Sequence, residues 1–215
     1  DSVFNLDGRK LYGVELVDFI KSADGVVIGL EPIDQELLRL CPNLKIVAKY
    51  GVGLDNINIA DCENKGVVIG WEGGVNRLSV AEMTVGLMLS LSHNINLTSN
   101  QLKGGYWNKS GGFQLSGKTI GIIGIGNIGK EVVRLLKPFS CKILVNDVIQ
   151  QKEYYGQNSL IESSKSDLIS KSDIVTVHTP LNVEMKGFFN YKTFKKFKNE
   201  SFFINTARGG IVIQD

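Results

Sequence analysis

The sequence has 215 residues, of which 43% are hydrophobic and 21% charged, enough apolar material for one large or two small cores. Its 24 basic and 22 acidic residues leave a formal charge of only +2 and lie scattered, which argues against a nucleic-acid or acidic-lipid partner. Cys41, Cys62 and Cys141 are far apart and form no Cys-x-x-Cys or Cys/His spacing. No metal site or disulfide framework is therefore expected, and buried thiols in a reducing, cytoplasmic setting are. The densest apolar segment, Val80 to Leu91, is too short to span a bilayer and contains Glu82, so no membrane segment is expected, and no secretory leader is visible.

In chain order, Leu16 to Ile20 reads as part of an amphipathic helix, Gly25 to Leu30 as a buried strand, and Asp34 to Leu40 as a short helix before Cys41-Pro42. Leu44 to Lys49 reads as a second strand, Ala60 to Asn64 as helix, and Gly66 to Gly70 as a third strand. Strands alternating with helices predict a small parallel α/β unit before residue 76. Functional loops of such units lie at the carboxyl ends of the strands, where Gly51-Val52-Gly53 falls. Backbone N–H groups there suit a carboxylate, with Lys49 adding charge; the plainer reading is an ordinary strand-to-helix turn beside a solvated lysine.

Ser79-Val-Ala-Glu82 has the form of a capping box opening a long helix to about Ser92. That helix is apolar nearly all round, which predicts that it lies buried, between two domains or at a subunit contact. Asn76 is either its cap or a site residue. Helix is expected again from Leu97 to Lys103, followed by a glycine-rich connection, Gly104 to Gly117, containing Trp107. The expected division is therefore into residues 1–78 and 79–215, the second beginning with a linking helix over 79–103.

The most informative stretch comes next. Thr119 to Ile123 is β-branched, apolar and bounded by glycines, as a buried strand is. It runs into Gly124-Ile-Gly126-Asn-Ile-Gly129, then into a helical pattern with Val132, Val133, Leu135 and Leu136 apolar, ending at Pro138. A second apolar run, Ile143 to Val145, stops at Asp147. In a strand–glycine turn–helix–strand–acid pattern, Gly124 allows the tight turn, Gly126 lets backbone approach a pyrophosphate, and Gly129 lets helix pack on strand. Helix-start amides near Asn127 and Ile128 face phosphate, and Asp147 accepts from ribose hydroxyls. Asp147 repels a 2′-phosphate and Val148 offers no cation, so NAD is favoured over NADP; Lys152 is the one nearby basic residue.

Beyond Asp147, a short helix is expected over Ser166 to Ser170 and a strand from Asp173 to His178, ending in His178-Thr179-Pro180 on the path of the cofactor. A lone histidine at a strand end has a structural reading beside the chemical one. The last strand, Phe202 to Asn205, leads to Thr206-Ala207-Arg208-Gly209-Gly210. Arg208 is placed to clamp a carboxylate through a bidentate guanidinium, or simply to pair with an acidic neighbour.

Five segments together resemble the D-isomer-specific 2-hydroxyacid dehydrogenase family: Lys49 to Asn56, Asn76 to Glu82, Gly124 to Gly129, Val177 to Leu181 and Asn205 to Gly210. Lys49 and the Thr-Val-His-Thr-Pro-Leu run are most like its phosphoglycerate dehydrogenases. The resemblance implies a Rossmann-type doubly wound parallel sheet for the coenzyme domain and a smaller flavodoxin-like α/β substrate domain, both incomplete in this sequence. It implies NAD as cofactor, a small 2-hydroxy or 2-keto acid as substrate with a phosphoglycerate-like one favoured, and a homodimer joined through the coenzyme domains. Arg208 matches the arginine that orients substrate, the Val52 and Gly53 amides match the carboxylate grip, and Asn76 matches a substrate-side asparagine. Lys49 matches the position that meets a substrate phosphate. Asn127, Ile128 and Asp147 match pyrophosphate and ribose positions, and Thr179, Thr206 and Ala207 line the rest of the NAD path. The family's catalytic glutamate and histidine, an aspartate that meets the carboxamide and the last strand of the coenzyme sheet are expected beyond Asp215. His178 does not match the catalytic histidine. Gly70-Trp71-Glu72-Gly73 departs from the family's Asn-Thr-Pro-like run, which keeps phosphite- or formate-using members in view. So does a non-enzymatic, NAD-sensing module of corepressor type.

Overall fold

A computed structural model describes residues 1–214. The chain divides into two compact units, Asp1–Val75 and Asn76–Asp215. The break falls just ahead of the 78/79 division expected from the sequence, because the long helix starts earlier than its pattern suggests.

The first unit contains α1 (Gly13–Ile20), β1 (Gly25–Ile28), α2 (Gln35–Leu40), β2 (Ile46–Lys49), α3 (Ile59–Lys65) and β3 (Val68–Gly70). Local signals set the helix limits. Asp34 Oδ1 accepts the Leu37 N–H at 2.9 Å, Asn58 Oδ1 accepts the Asp61 N–H at 3.2 Å, and Gly66 closes α3 at φ +69°. The strands pair in parallel in the order β1-β2-β3, with Val26, Val47 and Ile69 in register. Each βα unit steps the same way across the sheet, so right-handed crossovers put the helices on one face. Ile28 and Val47 point into the core there with Leu16, Ile20, Leu37, Leu38 and Cys62. The alternate residues, Val27, Ile46 and Val68, face the other way and are 74, 42 and 61% exposed.

The second unit contains α4 (Arg77–Ser92), α5 (Ile95–Lys103), β4 (Thr119–Ile123), α6 (Asn127–Leu136), β5 (Lys142–Asn146) and α7 (Lys152–Gln157). It continues through β6 (Ile161–Glu162), α8 (Lys165–Lys171), β7 (Ile174–Val177), α9 (Tyr191–Phe194) and β8 (Phe202–Asn205). All five strands are parallel, in the order β6-β5-β4-β7-β8. Succession reverses between β4 and β7, which is the strand order and switch point of a Rossmann-type doubly wound sheet. One face packs Ile120, Ile122 and Val145 under Ala81, Val85 and Met88 of α4 and Val132, Val133 and Leu136 of α6. The other packs Ile123, Leu144, Val175 and Val177 under Leu168 and Ile169 of α8 and around Phe189. A β-carbon on Gly121 would lie 2.4 Å from Leu168 Cδ2, so α8 rests directly on the bare backbone of β4.

One expectation about α4 needs correction. Its N-cap is Asn76, Ser79 and Glu82 lie inside the helix, and no side chain among the described residues caps this helix. The capping-box pattern fails because helix has already formed by Arg77, a turn earlier. Within the single chain, one face of the helix is covered. Ala81, Thr84, Val85, Met88 and Ser92 are inward, whereas Leu78, Met83, Leu87 and Leu91 are 45, 61, 38 and 37% exposed. The sequence reading also passed over α7, β6 and α9. No helix among the described residues is long and apolar enough to cross a membrane, and no group of three metal-ligating side chains occurs among them.

Candidate functional site

The glycine turn is held from three sides. Gly124 sits at φ +96°, and a β-carbon there would lie 2.7 Å from the His178 carbonyl oxygen, so the turn needs glycine for both backbone angle and space. Its N–H donates to Asn146 O at 2.8 Å. Ile125 is fully buried, its N–H donates to Asp147 Oδ2 at 2.5 Å, and its carbonyl accepts from Gln151 Nε2 at 3.0 Å. Gly129 packs against the turn so closely that a β-carbon would lie 2.1 Å from Gly124 O. Gly126 differs: as N-cap of α6 it faces open space, with nothing described within 4 Å of an added β-carbon. The first-turn amides of Asn127, Ile128 and Gly129 have no helical carbonyl behind them, which makes an anion seat with the helix dipole behind it.

Beside this seat is a cleft of about 280 Å³ lined by Gly124, Gly126, Asp147, Val148, His178, Thr179 and Pro180. Asp147 also accepts the Ile149 N–H at 2.8 Å, so its carboxylate braces the turn while its remaining lone pairs face the cleft. His178 Nε2 lies 3.1 Å from Thr176 Oγ1. Its Nδ1, and the Thr179 hydroxyl, are buried without a hydrogen-bond partner among the described residues. Such orphaned atoms cost about 1–3 kcal/mol each unless something fills the site. Burial alone lowers the His178 pKa from 6.5 to about 4, so the imidazole is neutral near pH 7. A dinucleotide fits this donor set: backbone amides and open space for a pyrophosphate, a carboxylate for ribose hydroxyls and unpaired polar atoms along an apolar slot.

At the end of β8, Thr206, Ala207 and Arg208 form a locked loop. Asn205 Oδ1 accepts the Ala207 N–H at 3.0 Å, Asn205 Nδ2 donates to Arg208 O at 2.9 Å, and Arg208 Nη1 donates to Ala207 O at 2.9 Å. Thr206 and Arg208 line a cleft of about 560 Å³. Thr84 Oγ1 on α4 is 3.0 Å from Thr206 Oγ1. Asn76 lies at the head of α4 with its Oδ1 buried and unpartnered among the described residues.

In the first unit, Lys49 ends β2 half-buried. Its ammonium donates to Gly29 O and, at 2.7 Å, to Asn56 Oδ1. Asn56 Nδ2 in turn donates to Glu31 O at 2.5 Å, and Glu31 Oε2 accepts the Gly29 N–H at 2.8 Å. Lys49 is therefore a tie between two loops at the carboxyl edge of the sheet, and the solvated-lysine reading does not hold. Val52 and Gly53 lie on the second loop after Gly51, whose φ is +122°. The Trp71 indole N–H donates to Val52 O at 3.0 Å, so the segment departing from the family pattern reaches back to brace the proposed carboxylate grip. Sequence reasoning singled out neither Asn56 nor Thr84, whose partners are distant in sequence. Trp71 was visible only as an oddity.

Residues 85–215 match the sequence profile described as D-isomer specific 2-hydroxyacid dehydrogenase, NAD binding domain. The chain belongs to that family. Among its relatives is a glyoxylate reductase of Thermofilum pendens, 35% identical over 92% of this chain and 61% of its own length. Another is a D-3-phosphoglycerate dehydrogenase of Archaeoglobus fulgidus, 33% identical over 92% of this chain and 38% of its own. The NAD-dependent formate dehydrogenase of Staphylococcus aureus, solved in complex with NAD, superposes with a TM-score of 0.84 at 31% identity, covering 94% of this chain and 62% of that one. The chain thus spans only part of the length of the 2-hydroxyacid dehydrogenase relatives it matches.

Proposed function

We propose that this chain belongs to an NAD(H)-dependent oxidoreductase acting on a small 2-hydroxy or 2-keto acid. The observation that carries the reading is the anion seat at Gly126 opening beside a cleft with Asp147 and two orphaned polar atoms, His178 Nδ1 and Thr179 Oγ1. When bound, NAD supplies the hydride acceptor or donor. The Asn127 and Ile128 amides hold its pyrophosphate, Asp147 its adenosine ribose, and the segment from His178 to Pro180 with Thr206 and Ala207 the rest of its path. In the second unit, Arg208 offers a charged contact to a substrate carboxylate and Asn76 a polar one; in the first unit, Val52 and Gly53 are carboxylate-grip positions by family pattern. Residues 1–75 thus form part of the substrate domain and residues 76–215 most of the coenzyme domain.

Lys49 supports a phosphorylated substrate by its position in the family pattern. The bonds it makes to Gly29 O and Asn56 Oδ1 support a smaller, unphosphorylated acid, and we favour that class. NADH oxidation by the protein expressed from its complete gene, with glyoxylate, hydroxypyruvate and phosphohydroxypyruvate in parallel, tests both levels. Turnover is expected with the first two and little with the third. Replacing Arg208 by Gln lowers kcat/KM by roughly a hundredfold through loss of a bidentate charged contact. Tight NADH binding with no oxidation by any 2-keto acid, and no reduction of NAD by formate, would instead favour a cofactor-sensing module.

A further inference from the structure

We propose that Thr84 is a positioning residue which fixes the Thr206 hydroxyl as an acceptor, turned toward the carboxamide N–H₂ of a bound nicotinamide. The inference rests on the dinucleotide reading above. Thr84 is fully buried on α4, and its Oγ1 donates to Val80 O at 2.8 Å. A hydroxyl has one hydrogen, so that bond uses the only proton Thr84 has. The 3.0 Å contact between Thr84 Oγ1 and Thr206 Oγ1 must then be a donation from Thr206. Thr206 is left with lone pairs and no hydrogen, able to accept from a ligand and unable to donate to one.

The placement of Thr206 selects the ligand group. The pyrophosphate seat lies at the β4–α6 turn, and the Asp147 side of the cleft follows β5, on one side of β4. A dinucleotide crossing the switch point puts its other half on the opposite side, toward the ends of β7 and β8. Thr206 is the first residue after β8, half-buried, on a loop already locked by Asn205. The nicotinamide carboxamide is the donor of that half that lies on the ring itself. The two hydroxyls therefore form a proton-ordered relay, Thr206 to Thr84 to Val80 O, which sets ring orientation from a buried helix.

The test compares NADH with its 3-acetylpyridine analogue, which has a methyl group where the carboxamide has its N–H₂. Affinities are measured by fluorescence titration and thermal shift on the protein expressed from its complete gene. The wild type is expected to prefer NADH by roughly five- to tenfold, the worth of one buried hydrogen bond. Thr206→Val and Thr84→Val should each lower that preference at least about threefold, and Thr84→Ser should restore it. A Thr84 that is merely structural would lower the melting temperature and leave the preference intact, which would overturn the proposal. So would a preference unchanged by Thr206→Val, and this variant decides the matter if Thr84→Val does not fold. Failure of the wild type to bind either nucleotide would instead defeat the dinucleotide reading, and this inference with it.

Discussion

A methyl group at Gly124 would meet the His178 carbonyl on a backbone already at φ +96°, whereas one at Gly126 would meet nothing described within 4 Å. The two glycines of one turn therefore answer to different demands, folding for the first and ligand approach for the second. Gly124→Ala should lower the unfolding free energy by about 3 kcal/mol in urea, adding backbone strain to overpacking. Gly126→Ala should leave stability within about 0.5 kcal/mol yet weaken NADH binding, because its β-carbon enters the pyrophosphate's space. At His178 the folded pKa, about 4, lies below the ordinary value of 6.5. Protonation thus favours the unfolded chain. The stability that the neutral imidazole contributes is complete above about pH 6.5 and lost progressively as pH falls toward 4. Thermal melts across that window should show the wild type losing stability more steeply than His178→Gln, and parallel curves would refute it.

Elements whose pattern is dense and local were legible before any coordinates. The β4 strand is one, because four of its five residues are buried and the glycine turn punctuates it. What escaped was carried by tertiary context. The β6 strand has two residues, both exposed, and α7 spells Lys-Glu-Tyr-Tyr-Gly-Gln with only Tyr155 buried, so neither shows a periodic apolar face. On α4 the sequence shows apolar residues all round, and only packing decides which of them face Val132 and Leu136. Met88→Ala on the inward stripe should cost about 3 kcal/mol, while Met83→Ser on the outward one should cost under about 0.5 kcal/mol, both read by chemical unfolding. Similar costs for the two would contradict the assigned faces.

For the whole molecule, family motifs pointed to the site residues, but the hydrogen bonds that set them were hidden. Lys49 looked like a free charge and is a tie between loops; Trp71 looked like a departure and braces Val52. Trp71→Phe keeps the ring and removes the indole donor. It should raise KM for every 2-keto acid by roughly fivefold while leaving NADH affinity unchanged, in keeping with the loss of one hydrogen bond at the carboxylate grip. The exposed stripe of Met83, Leu87 and Leu91 is the surface on which we propose that the homodimer expected from the family resemblance forms. Light scattering should return twice the chain mass for the wild type and a monomer for Leu87→Asp. The central claim, that this fold holds NAD at the Gly124–Gly129 turn, is tested most directly by calorimetric titration with NADH and NADPH. Saturable NADH binding is expected, with NADPH at least roughly tenfold weaker because Asp147 disfavours a 2′-phosphate. An absence of saturable NADH binding, or equal affinity for the two nucleotides, would contradict it.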